Sequence, residues 1–155
     1  MTDFSRRAML VAFLGFGMMM IGPGALLAAE AGPPPGKRVA LKGYDPVSYF
    51  TAGKPEPGSA EHQASYDGAT YWFKNAKHRA LFVADPDHYA PQFGGFCAIN
   101  VSRGEKYEAD PDAWVIADGK LYVFGGKAGV PIFQQQTAGI IEKAGENWAQ
   151  LRRQP

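Results

Sequence analysis

The chain has 155 residues with 16 Lys+Arg, 15 Asp+Glu, three His and one Cys, a formal net charge of +1. That length fits one domain. The balanced charge, with no run of more than two adjacent Lys or Arg, excludes the row of phosphate contacts that nucleic-acid binding needs. A single Cys excludes an intramolecular disulfide framework and any zinc site built from several thiolates.

The chain opens on Ser5-Arg6-Arg7-Ala8-Met9-Leu10, an apolar stretch to Ile21, then Pro23-Gly24 and small residues ending Ala29-Glu30-Ala31. This reads as a secretory leader over residues 1–31, cleaved after Ala31, and the arginine pair matches a twin-arginine export signal. The expected location is the periplasm, with no membrane attachment after cleavage. All five Met leave with the leader, so a Met-rich copper carrier is excluded. Residues 32–38, Gly-Pro-Pro-Pro-Gly-Lys-Arg, read as a disordered lead-in, and the domain is expected over residues 39–153.

Within it, Asp45-Pro46 reads as a cap and first helical residue, placing a short helix at 47–52. Residues 62–66 and 69–73 flank Asp67-Gly68, the two-residue signal of a tight β-hairpin. Asn75 caps a helix running to Ala84, and Asp85-Pro86 opens another through Tyr89. Residues 97–101 alternate like a strand. Residues 114–117 and 120–124 flank Asp118-Gly119, a second hairpin, so about five strands are expected. Pro131 starts a helix whose apolar register reaches Arg153, with Gly139 and Gly145 as possible breaks. No internal repeat is evident beyond the reused Asp-Gly and Asp-Pro devices. The order of elements predicts a small, compact α+β domain with two antiparallel hairpins and short helices, closed by a C-terminal helix. Its core draws on a heavy aromatic load, seven Tyr, three Trp and the Phe that remain after the leader.

Gly68 to Phe73, Asn75 to Phe82 and Ala84-Asp-Pro-Asp-His-Tyr89, with Asp45-Pro46-Val47 upstream, resemble the YHS domain. Gly43 to Phe50, Tyr89 to Ala98 and Glu146-Asn147-Trp148 resemble its exported, single-domain bacterial members more closely, over residues 41–151. The resemblance implies metal binding. Metal-binding relatives of the wider group, however, carry cysteines where this chain has Ser48, Lys74 and His78, of which only His78 can ligate.

The candidate site residues are therefore Cys97, beside Gly94-Gly95, together with His78 and His88 as ligands for Cu or Zn. Tyr44, Asp45 and Tyr49 form a polar-aromatic group for a small ligand, Asp45 also serving as a helix cap. His62 reads as exposed. Three functions stay open. The chain is an accessory or sensing protein that binds a transition metal or small ligand, a thiol enzyme with Cys97 activated by His78, or a metal-free module with an aromatic-lined groove. The first is preferred, so a stand-alone enzyme is not expected, and no P-loop, dinucleotide fingerprint or nucleophile-elbow motif is present.

Overall fold

The computed structural model describes residues 38–155, all within one compact unit. The expected leader and residues 32–37 lie outside the described residues. The expected α+β fold is the one found, two antiparallel two-stranded sheets with six helices, of which the last is C-terminal.

A left-handed turn at Ala40–Gly43 leads into α1 (Ser48–Thr51) and then the hairpin β1 (Ser59–Tyr66) and β2 (Ala69–Phe73). Helices α2 (Ala76–Ala84) and α3 (Pro86–Tyr89) follow. A second left-handed turn at Gln92–Gly95 leads into α4 (Ala98–Ser102), the hairpin β3 (Asp110–Ala117) and β4 (Lys120–Phe124), then α5 (Gly129–Gln135) and α6 (Thr137–Leu151). The local devices behave as their chemistry requires. Asp67 and Asp118 take φ of 45° and 50°, and the glycine after each also has positive φ, as a two-residue hairpin turn demands. The Asn75 side chain accepts the His78 amide at the start of α2, and Asp85 accepts that of His88 at the start of α3.

The two halves of this list are the same motif twice. Each sheet pairs its last four strand residues in tight register and then slips, between Ser59 and Gln63 in one and between Asp110 and Trp114 in the other. The Tyr71 ring lies 5.0 Å from Phe82 at 36° and Phe73 lies 5.0 Å from Phe82 at 51°. The Tyr122 ring lies 5.0 Å from Phe133 at 35° and Phe124 lies 5.1 Å from Phe133 at 50°. Tyr122, Phe124 and Phe133 follow Tyr71, Phe73 and Phe82 at one constant offset, which is also the offset between the Asp-Gly turns. The expectation that no repeat exists is corrected here. The repeat is carried by a few aromatic and turn positions, while the intervening surface residues differ.

Three element assignments are also corrected. Where a strand is expected over residues 97–101, Cys97 is the N-cap of the helix Ala98–Ser102: its carbonyl accepts the Val101 amide at 2.9 Å, and the apolar run is buried against α6 through Val101, Ala144 and Leu151. The described residues contain four strands, not five. The C-terminal helical stretch begins at Gly129 and breaks at Gln136, whereas Gly139 and Gly145 sit within α6. Arg38, at the end of the Pro/Gly-rich lead-in, is anchored: it pairs with Glu108 at 2.5 Å, bonds the Gly94 carbonyl at 2.7 Å, and lies 3.7 Å over the Phe96 ring.

The repeated triads make a matched pair of predictions. Phe82 and Phe133 are each 1% exposed, so Phe82→Ala and Phe133→Ala should each cost about 3–5 kcal/mol of unfolding free energy, measured by urea denaturation. A large cost at one site alone would show that only one half depends on its triad.

Candidate functional site

Asp45 is wholly buried, and a buried carboxylate persists only if its oxygens are paired. Oδ1 accepts the Val47 amide at 2.9 Å, and Oδ2 accepts the Lys74 amide at 3.0 Å and faces His78 Nδ1 at 2.6 Å. The Asp45 carbonyl accepts the Ser48 hydroxyl at 2.7 Å, and that hydroxyl accepts the Glu56 amide at 3.1 Å. One carboxylate thus joins the loop before α1 to the junction of β2 and α2. With Nδ1 donating to Asp45, Nε2 is the open nitrogen of a ring whose side chain is 8% exposed. Outside this centre, Lys74 pairs with Glu56 at 2.6 Å, and that ammonium holds the Glu56 carboxyl below its ordinary range.

The repeat shows what this centre replaces. Asp45 and Cys97 hold equivalent places: the Asp45 amide donates to the Glu56 carbonyl at 2.9 Å and the Cys97 amide to the Tyr107 carbonyl at 2.8 Å. His78 corresponds to Gly129, whose amide donates to the Gly126 carbonyl at 2.9 Å where that of His78 donates to Asn75 Oδ1. A Cβ at Gly129 would come within 2.8 Å of the Phe124 Cβ. The second half therefore fills the same space with a thiol, a bare backbone and packed rings. Cys97 is 3% exposed and clusters with Ala113, Phe124, Phe133 and Ile140, the setting of a small buried hydrophobe.

The other sequence-derived site residues are dispersed. His88 is exposed and stacks on Phe50 at 4.7 Å and Tyr89 at 4.6 Å. Tyr49, 1% exposed, donates its hydroxyl to the Pro111 carbonyl at 3.0 Å and meets Trp114 edge-on at 5.2 Å. Its hydroxyl is held protonated by burial and by Asp112. Tyr44 packs on the cluster of Leu41, Ala109, Leu121 and Val123. His62 is half-buried on β1. Asp45 and His78 are brought together; no hydrogen bond joins Cys97 to His78, and among the described residues no group of three or more His, Cys, Asp or Glu stands close enough to hold a metal ion. Among the described residues Cys97, His78 and His88 do not form a common donor set.

Chemistry-bearing side chains converge instead at the junction of the two halves. A cleft of about 430 Å³ is lined by Tyr66, Asp67 and Tyr71 from the first hairpin, residues 90–94 of the connection, Lys120 from the second hairpin, and Trp148 from α6. Gly94, at φ +60°, lets the Trp148 ring lie on the backbone: an added Cβ would stand 3.1 Å from it. Phe93 meets Trp148 edge-on at 6.3 Å. Asn147 beside it donates to the Val101 and Ser102 carbonyls at 3.0 and 3.1 Å, fixing α6 on the end of α4. Around the cleft Asp67 pairs with Arg152, and the Tyr66 hydroxyl donates to Asp87. A second cleft of about 590 Å³ beyond Trp148 has its cations paired, Arg38 with Glu108, Arg152 with Asp67 and Lys106 with the Gln154 carbonyl. None of the sequence-derived site residues lines either cleft. Comparison with protein-family models, curated proteins and solved structures finds no match.

Asp45→Asn keeps the shape of the buried centre and removes its charge. Breaking one partner of such a pair should cost about 3–5 kcal/mol in urea denaturation; a loss under about 1 kcal/mol would place Asp45 with surface ion pairs.

Tyr66 supplies a pH test. The bond to Asp87, then partial burial, pushes its hydroxyl up to about 12 from an ordinary value of 10.0. A folded value above the unfolded one means that this pair stabilises fully below about pH 10 and loses its contribution as pH rises through about 12. Asp87→Ala should move one tyrosine ionisation earlier in an alkaline absorbance titration and leave the buried Tyr49 and Tyr71 late. An unchanged titration would remove the Tyr66–Asp87 bond from solution.

Proposed function

We propose that this chain is an exported, YHS-type accessory protein that binds a small organic ligand in the aromatic cleft between its two halves, without metal. One observation carries this reading: a cleft of about 430 Å³ whose walls, Tyr66, Phe93 and Trp148, come from both repeats and the connection between them. That volume and mixed lining suit a small molecule. Export rests on the leader with its arginine pair, and the YHS assignment on the motifs already quoted. Cys97, enclosed in apolar packing, and His78, bonded to Asp45, favour packing and anchoring roles over a shared metal or a thiol nucleophile.

The test is a backbone amide titration by NMR with 2-phenylethanol, a neutral aromatic probe. Resonances of Tyr66, Phe93, Gly94 and Trp148 should shift together and saturate, and the folded Cys97 thiol should resist alkylation until the chain unfolds. Absence of saturable shifts at these residues overturns the reading. So does stoichiometric metal, retained through purification without chelators and lost in Cys97→Ala.

A further inference from the structure

Resting on that reading, we infer that the ligand of the cleft is a planar ring bearing a carboxylate, its acid group received by Lys120 and the Tyr71 hydroxyl while its ring lies against Trp148 and Phe93. The argument turns on which polar groups the protein has already used. Two carboxylates line the cleft, and both are engaged by the chain's own donors: Asp67 takes the Arg152 guanidinium and Asp87 takes the Tyr66 hydroxyl. A ligand cation would have to displace or share these bonds.

The donors stand otherwise. The Lys120 ammonium, on the same cleft, has no partner among the described residues. Tyr71 is 1% exposed, and among the described residues nothing hydrogen-bonds its hydroxyl. No enclosed side-chain nitrogen or oxygen among these residues lacks a partner, so this hydroxyl is not fully enclosed, and Tyr71 is a lining residue of the cleft. A nearly buried hydroxyl and an ammonium with no internal acceptor ask for an acceptor from outside, and a carboxylate offers two oxygens and a full charge to both. The apolar remainder of the ligand is fixed by the walls. Trp148 and Phe93 present rings in edge-on contact, a surface suited to a flat aromatic body stacked offset or edge-on.

The test is calorimetric titration of the full chain with three probes that share one ring and differ in the terminal group: phenylacetate, 2-phenylethanol and 2-phenylethylamine. Phenylacetate should bind about tenfold or more tighter than either of the others, as expected of hydrogen bonds to a charged group. Lys120→Gln, an exposed substitution beside the turn, should abolish that preference and leave the alcohol within about twofold of wild type. Tyr71→Phe, which keeps the ring in its contact with Phe82, should weaken phenylacetate selectively. An amine that binds as tightly as the acid, or a preference that survives Lys120→Gln, overturns the carboxylate assignment while an alcohol that still binds leaves the cleft reading intact. If none of the three binds, the cleft reading itself fails.

Discussion

Each sheet of this protein has only two strands, and an isolated two-stranded hairpin is marginal in water. The chain meets this constraint in the same way twice: a Phe from the helix after each hairpin lies between a Tyr and a Phe of the second strand, with ring distances and angles that agree to a few degrees. The hairpins are then joined through the connection and through Tyr49, whose hydroxyl reaches from the first half to Pro111 in the second. The cleft is a by-product of that joining, since it is lined from both hairpins, the connecting turn and Trp148.

Within the shared frame the halves have taken opposite solutions at one place. The first buries a carboxylate and an imidazole, bonds one to the other, and gives the carboxylate two backbone amides as well. The second uses Cys97 and Gly129 and packs rings into the space. Polar networks of the first kind fix geometry because each oxygen accepts from a defined direction, whereas the second kind relies on volume. The polar version holds the β2–α2 junction and the loop after Tyr44 at once; Asp45, expected from the sequence to cap α1, lies ahead of the actual N-cap, Val47, and accepts the Val47 amide instead.

Much of the local structure was legible in the sequence because it depends on neighbours: Asp-Gly for the turns, Asn75 and Asp85 for the helix starts, and from these the α+β class. The helix over residues 98–102 was not, since Cys, Ile and Val suit a strand intrinsically and only packing on α6 decides between the two. Asp45 and His78 were each singled out, but their contact is a tertiary fact that spacing does not encode. The cleft residues were hidden for a related reason. Tyr66, Tyr71 and Trp148 read as core aromatics, and Lys120 as the first residue of a hairpin strand. Their signal was the constant offset from Asp67, Tyr71 and Phe82 to Asp118, Tyr122 and Phe133, which marks a duplication and so a seam.

That seam also bears on the stoichiometry of the proposed ligand. Trp148 rises from α6, the longest helix among the described residues, while the helix at the corresponding end of the first half, α3, spans only Pro86–Tyr89. The pseudo-symmetry is therefore broken where the cleft forms, so under the proposed function a molecule that repeats its fold would still take one occupant at this junction. A half-length chain pairing with itself would have to bind its guest on a symmetry axis, in two equivalent orientations. Joining the halves in one chain removes that degeneracy and gives the guest one direction in which to lie.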